Sequence, residues 1–336
     1  MSYSFKRVLV TGGAGCIGMA VCDELLKRGV DVVLFDLYEQ VNVVKKSINN
    51  KVNLFYGSIL DESSLREAIR GCDAVIHLAA YLGVRRTEIN SLRCLDININ
   101  GTKKVLDAAV NAKINKIVFA SSSEVYGEPL KNPISEEDIT QGKTLYAVSK
   151  LAGEEFIKAY HTEFQSLEYT ILRYFNTYGP HQIAQFVIPK FIRNVLNNKP
   201  PIVYGNGMQE RSYSFSEDTA RGTVDALFSQ ETNNTTLNIG NSDALISLKN
   251  LGELVIDLCG KKDELGIIVK NSFEDTDRVE EREIYQRYCC TDKAKELLGY
   301  EPRISLKEGI EKIIKIGVLQ PKWATSEKNY TIDDYL

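Results

Sequence analysis

"VLVTGGAGCIG", residues 8–18, puts an apolar run directly before a glycine-rich turn, with Gly12, Gly15 and Gly18 spaced as G-x-x-G-x-x-G. Such a triplet is common in turns, so its weight comes from its surroundings. "RVLVTG" (7–12) reads as a strand, and "IGMAVCDELLKRG" (17–29) has helical spacing with Gly29 placed to end it. "VDVVLFD" (30–36) is the next strand and finishes on Asp36. Strand, glycine turn, helix and a carboxylate after the second strand together form the arrangement that holds a dinucleotide. The glycines let a pyrophosphate approach the backbone, and the helix N-terminus offers N–H groups and partial positive charge. A carboxylate at Asp36 accepts both ribose hydroxyls and repels a 2′-phosphate, which favours NAD over NADP. No G-K-[ST] follows the glycines, which disfavours a nucleoside-triphosphate loop.

The rhythm continues outward. "VNLFYGS" (52–58) reads as a third strand, and "SLREAIRG" as a helix capped by Asp61 or Ser63. "AVIHLAA" (74–80) is a fourth strand, followed by one long amphipathic helix through "LDININGTKKVLDAAVNA" (95–112). "KIVFASS" (116–122) is a fifth strand, "YAVSKLAGEEFIKAYHTEF" (146–164) a helix and "YTILRYF" (169–175) a sixth strand. Unbroken β-branched runs alternating with helices predict an α/β fold, a doubly wound parallel sheet (Rossmann fold) covered on both faces. After "NTYGP" (176–180) the elements shorten around Pro189 and Pro200-Pro201, as expected of a smaller mixed α/β substrate domain. The expected boundaries are 1–178 with return segments at about 212–242 for the dinucleotide domain, and 179–211 with 243–320 for the substrate domain. Residues 321–336 form a polar tail.

Composition narrows the function. The 336 residues carry 45 acidic and 41 basic side chains, a net charge of -4, without the basic excess that DNA or RNA binding needs. No apolar stretch is long enough to span a membrane, and "MSYSFKRVLV" is too short and too soon structured for a signal peptide. Seven scattered cysteines and three histidines offer neither a CxxC pair nor zinc-ligand spacing, so no metal is expected and a reducing cytoplasm is the setting.

"FASSSEVY" (119–126) ends the fifth strand in serines, and "LYAVSK" (145–150) follows closely. Tyr146 and Lys150 stand four apart and share one helical face. An ammonium beside a phenol favours the phenolate, so Tyr146 is expected below its ordinary value near ~10. A tyrosine so poised can take the proton from a sugar hydroxyl, with Lys150 also bonding the nicotinamide ribose. Ser122, at the carboxyl end of its strand, can meet the same substrate oxygen, since open parallel sheets bind ligands at such ends.

With "HLAA" (77–80), "NINGT" (98–102), "SSSEVYG" (121–127), "RYFNTYGP" (173–180), "ERSYSFSED" (210–218) and "LLGYEPRISLKEGI" (297–310) in order, residues 6–318 resemble the extended short-chain dehydrogenase/reductases of nucleotide-sugar epimerase and dehydratase type. The resemblance implies Ser122, Tyr146 and Lys150 as catalytic residues. It implies NAD contacts at Gly12, Gly15, Cys16, Ile17, Gly18, Asp36, Ser58, Ile59, Leu78, Ala79, Ala80 and Asn98, as well as Tyr146 and Lys150. Asn98 matches an asparagine that steadies the catalytic helix. For a nucleotide-diphosphate sugar it implies Ser123, Asn176, Arg211 and Arg287, the arginines because a guanidinium grips phosphate through a planar fork. Cys16 stands where many members carry an aromatic, and Ser58 where many carry an aspartate. Arg85 and Arg86, in "YLGVRR" (81–86), could contact phosphate, substrate, a second subunit or only water. Members commonly pair through the helices that begin here near residues 91 and 146, which implies a homo-oligomer, dimer or tetramer.

Glu124 divides the chemistries. Members that only oxidise C4 often carry a small residue there, and those that eliminate water carry an acid. The leading expectation is C4 oxidation to a 4-keto sugar, with or without epimerisation; the finer expectation is a 4-dehydrogenase of GDP-linked manno-heptose in surface-polysaccharide synthesis. The alternatives are 4,6-dehydration using Glu124, and decarboxylation, whose usual loop after "HLAA" is not matched. From another class, an NAD-binding regulator without activity is disfavoured because both Tyr146 and Lys150 are kept.

Overall fold

The computed structural model describes residues 2–243, 245–270 and 284–318. The 321–336 tail lies outside the described residues. In chain order the first elements are β1 (Arg7–Thr11), α1 (Cys16–Lys27), β2 (Asp31–Asp36), α2 (Tyr38–Val44), β3 (Asn53–Tyr56), α3 (Glu62–Ala68) and β4 (Ala74–His77). Then come α4 (Val84–Ile89), α5 (Ser91–Leu95), α6 (Thr102–Asn111), β5 (Lys116–Ser122), α7 (Leu145–Glu163) and β6 (Glu168–Tyr174). The remainder is β7 (Thr177–Tyr178), α8 (Val187–Leu196), β8 (Ile202–Tyr204), β9 (Glu210–Ser212), β10 (Ser214–Phe215), α9 (Ser216–Phe228), β11 (Thr235–Ile239), β12 (Leu245–Ser247), α10 (Leu248–Leu258), β13 (Ile268–Lys270), β14 (Gln286–Arg287), α11 (Asp292–Leu298) and α12 (Leu306–Ile316).

Seven strands form one parallel sheet in the order β11-β6-β5-β4-β1-β2-β3. The order turns back at β1, which makes a topological switch point beside β4. Successive strand residues feed opposite faces. Val8, Val10, Val32 and Leu34 pack under α1 and α9, whereas Leu9, Val33, Phe35, Ile117 and Phe119 pack under α3, α6 and α7. Each side chain taken wholly from water, such as Leu25 of α1, stabilises the fold by roughly 2 kcal/mol. A third core joins α8, α10 and α12 through Phe191, Ile192, Leu251, Val255, Ile310 and Ile313. Among the described residues three smaller sheets accompany it, β10-β7, β12-β9-β14 and β13-β8.

Local chemistry sets the element ends. α1 stops at Arg28, and Gly29 follows in the left-handed region at φ 76°. Asp61 rather than Ser63 caps α3, accepting from the Ser63 N–H at 3.0 Å. The expected single helix over 95–112 is interrupted: Asp96–Gly101 form a wide π turn between α5 and α6. Asn98 turns inward there, where such widened turns often mark functional sites. Among the described residues no helix is long and apolar enough to cross a membrane.

Candidate active site

The glycine loop is tight enough to exclude side chains. Gly12 sits at φ 71°, and a Cβ there would lie 2.6 Å from the Ala79 nitrogen. A Cβ at Gly18 would lie 2.2 Å from the Gly12 oxygen. No side chain caps α1 at Gly15, so first-turn N–H groups are left for an anion. Asp36 braces this loop, accepting from the Ala14 N–H at 3.0 Å and from the Leu37 N–H at 2.8 Å. Desolvation pushes its carboxyl up to about 6. Leu78 and Ala79 lie across the loop on the β4 side, their N–H groups on the Thr11 main-chain and side-chain oxygens at 3.0 and 3.4 Å. Ser58 accepts from the Leu60 N–H at 3.2 Å, and Ile59 is buried against Gly101. Cys16 is turned to Ser216 of α9, and burial pushes its thiol up to about 12, an unreactive state. A bare turn, an uncapped helix start and a carboxylate at the end of β2 fit a dinucleotide.

The strand β5 and the helix α7 bring the second group together. Ser122, at the end of β5, accepts from the Glu124 N–H at 3.2 Å and lies near enough to the Tyr146 phenol, in the first turn of α7, to favour its ionised form. Glu124 lies in the short turn that follows β5, and Thr144 donates to its Oε2 at 3.2 Å. The Thr144 hydroxyl also accepts from the Ala147 N–H at 3.1 Å and so caps α7. Sequence reasoning missed Thr144; its place two residues before Tyr146, at a helix start, was the available signal. Ser123 is buried beside this turn.

The phenol departs from expectation. Desolvation by the packing around it, then the Glu124 carboxylate and Cys94, push Tyr146 above its ordinary value, with only Ser122 acting downward. The Lys150 ammonium is turned away, donating to the Ala120 carbonyl at 2.8 Å, and its Nζ lies 5.8 Å from the centre of the Tyr146 ring. Burial lowers Lys150 itself to about 8. The expected depression of the phenol is thus reversed here, because desolvation and a facing carboxylate outweigh a cation bonded elsewhere.

Asn98 ties this region to the cofactor side. Its Oδ1 accepts from the Tyr81 N–H at 2.7 Å, and its Nδ2 donates to the Tyr81 carbonyl at 3.0 Å and to Ser149 Oγ of α7 at 2.9 Å. Asn176 follows β6, its carbonyl accepting from the Ser214 N–H at 3.1 Å. Arg211 of β9 and Arg287 of β14 are register partners on adjacent parallel strands, which puts two guanidinium side chains on one face. Arg211 donates to the Glu210 carbonyl at 2.7 Å and the Ile284 carbonyl at 2.5 Å. Arg86, expected in a loop, lies in α4 with its guanidinium 4.6 Å from the centre of the Tyr81 ring. A cleft of about 550 Å³ between α3 and α6, lined by Glu62, Arg66, Lys104 and Asp107, shares no residue with this set. Among the described residues no group of three His, Cys, Asp or Glu could hold a metal.

Comparison with known proteins agrees with this fold. The model of the NAD dependent epimerase/dehydratase family matches residues 8–240. A UDP-N-acetyl-alpha-D-glucosaminuronate decarboxylase of Bacillus cytotoxicus is 34% identical over 320 residues, covering 92% of this chain and 97% of that protein. A putative UDP-glucose 4-epimerase of Methanocaldococcus jannaschii is 36% identical over 313 residues, covering 91% and 97%. The crystal structure of UDP-glucuronic acid 4-epimerase from Bacillus cereus, in complex with UDP-glucuronic acid and NAD, superposes with a TM-score of 0.81 at 29% identity, covering 92% of this chain and 98% of that one.

Proposed function

The chain belongs to the NAD dependent epimerase/dehydratase family, and from that premise we propose that it oxidises the C4 hydroxyl of a nucleoside-diphosphate sugar to a 4-keto sugar, alone or as the first half of an epimerisation. The observation that carries this reading is that Ser122, at the carboxyl end of β5, and Tyr146, in the first turn of α7, stand near enough to act on one another. Bound NAD supplies the acceptor for the C4 hydride. The glycine loop, the start of α1 and Asp36 hold that dinucleotide, and Asn98 keeps the Tyr81 backbone and α7 in step beside it.

The Tyr146 phenolate receives the hydroxyl proton at Oη, and Ser122 donates to the substrate oxygen as negative charge develops there. Glu124 opposes that charge, so a substrate hydroxyl donating to Glu124 favours the base form of the tyrosine. The Lys150 ammonium, anchored on Ala120, has further N–H groups for the nicotinamide ribose. Arg211 and Arg287 grip the diphosphate. Relatives at 34% and 36% identity carry UDP in their names, which supports a UDP sugar ahead of the GDP-linked manno-heptose that the sequence resemblance pointed to.

A second reading has one observation in its favour. Glu124 faces Tyr146 closely enough to raise it, and a carboxyl so placed could protonate a departing hydroxyl in 4,6-dehydration. Purified protein incubated with NAD and a panel of UDP, GDP, CDP and dTDP sugars separates the cases by product mass. Loss of two hydrogens marks oxidation, loss of water dehydration, loss of carbon dioxide decarboxylation, and unchanged mass with new stereochemistry epimerisation. Tyr146→Phe is expected to cut turnover by ~10²–10⁴-fold with NAD still bound; a variant as fast as the parent would end the proposal.

A further inference from the structure

Ser121, Arg173 and Asn238 are register partners across β5, β6 and β11, on one face of three adjacent strands. Arg173 donates to Glu154 through Nε at 2.9 Å and Nη2 at 2.7 Å, and the side chains are 8% and 1% exposed. A buried ion pair of this kind contributes little net stability compared with apolar packing, so its location asks for another role. Glu154 stands one helical turn beyond Lys150 and also accepts from Ser121 Oγ at 2.5 Å. Ser121 is the neighbour of Ser122. Arg173 Nη1 donates at 3.1 Å to the hydroxyl of Tyr126, the residue that closes the turn holding Glu124. Two segments that carry candidate catalytic side chains therefore meet on one guanidinium, and the third joins them through Glu154.

The same network runs on toward the arginines of β9 and β14. Tyr126 donates to Asn238 Oδ1 at 2.7 Å, and Asn238 Nδ2 donates to the Ile134 carbonyl at 3.0 Å. Residue 134 bridges the chain just after β14: the Ile134 N–H donates to the Tyr288 carbonyl at 2.9 Å, and the Cys290 N–H donates to the Ile134 carbonyl at 2.8 Å. Asn132 Nδ2 donates to the Gln286 carbonyl at 3.1 Å, next to Arg287. The hydroxyl of Tyr126 joins the Arg173 and Asn238 side chains directly, and Glu136 runs beside it, its carbonyl accepting from Arg173 Nη1 at 3.2 Å and its Oε1 from the Asn238 N–H at 2.7 Å.

We propose that Tyr126, with Arg173 and Asn238, is a positioning residue that links the strand carrying Arg287 to the turn carrying Ser122 and Glu124, so that seating a nucleoside diphosphate orders the catalytic turn. The link rests on the reading of Arg211 and Arg287 as the diphosphate grip. A substrate held by its diphosphate then meets a turn already set for its sugar, and a sugar without that handle does not.

Hydrogen exchange of the full chain with NAD present, read by mass spectrometry with and without UDP and in parallel with GDP, tests the link. In the parent, exchange over residues 121–127 is expected to slow by ~5-fold or more on nucleotide addition, and in Tyr126→Phe by less than ~2-fold with the nucleotide still bound. Asn132→Ala, at the half-buried far end, is expected to weaken the response similarly without touching the core, and it carries the test if the phenylalanine variant folds poorly. A merely structural tyrosine would lower the melting point and leave the nucleotide-dependent difference intact. Equal slowing in parent and variants, or none in the parent with nucleotide bound, overturns the link and leaves the proposed function standing. A parent that binds neither UDP nor GDP overturns the diphosphate reading and the link with it.

Discussion

Glu124 sets how readily Tyr146 can act as a base. Its carboxylate and the surrounding desolvation hold the phenol above its ordinary value. Removing that negative charge stabilises the phenolate, so Glu124→Gln is expected to move the acid limb of the pH–rate profile for C4 oxidation to lower pH. An unmoved limb would show that the two groups do not communicate, and loss of a dehydrated product alone would identify Glu124 as the acid of the second reading. Lys150 makes the opposite sort of sacrifice. Its folded value is about 8 against 10.5 for a free lysine, so between these the unfolded chain holds the proton and the folded chain does not. Stability contributed by this residue therefore rises with pH across that window, and the cost of burying the ammonium is fully present below about 8. Lys150→Met is expected to stabilise the NAD-free protein at neutral pH by on the order of 1–3 kcal/mol in urea unfolding, with turnover reduced ~100-fold or more. A destabilised variant would mean that the Ala120 bond outweighs the desolvation.

At the scale of elements, the β1–α1 turn tolerates no bulk. In Gly18→Ala the new Cβ would meet the Gly12 oxygen at 2.2 Å and Gly13 atoms at 2.7 Å, so the helix start must withdraw. The expected cost is about 1–3 kcal/mol, with NAD affinity lower by ~10²-fold or more, measured by calorimetry; an unchanged affinity would dissociate this loop from the cofactor. This turn was legible in the sequence because every part of it is local: an apolar strand, spaced glycines, helical periodicity and a terminal carboxylate within 30 residues. β5 and α7 were legible for the same reason. The π turn at Asp96–Gly101 was not, since Asn98 is drawn inward by Tyr81 and by Ser149, which lies 51 residues away. The raised phenol was equally hidden: a lysine four residues along the helix predicts attraction, and only the fold shows that Ala120 takes its proton donor. Pairing of Arg211 with Arg287 depends on two strands separated by 76 residues, as their flanking Gln286–Glu210 bond spans.

Across the whole molecule, the elements proposed to hold the cofactor and those proposed to hold the diphosphate are separate sets. Arg211→Ala and Arg287→Ala are each expected to weaken UDP binding by ~10–100-fold with NAD affinity unchanged; a loss of both affinities would mean that the fold, rather than the grip, had been damaged. Leu92 of α5 is 84% exposed and Val148 of α7 is 44% exposed, apolar surface on the helices that the family resemblance pairs between subunits. We expect a homo-oligomer by light scattering and monomers from Leu92→Glu; an unaltered mass would place the contact elsewhere.

One edge strand of the sheet, β11, is supplied by residues 235–239, long after its neighbour β6 at 168–174. A nascent chain leaving the ribosome therefore carries a bare, hydrogen-bonding edge on β6 until Ile239 has emerged, the kind of edge that recruits other strands. Premature termination near the middle of the gene should accordingly yield insoluble aggregates rather than a free-standing cofactor-binding half.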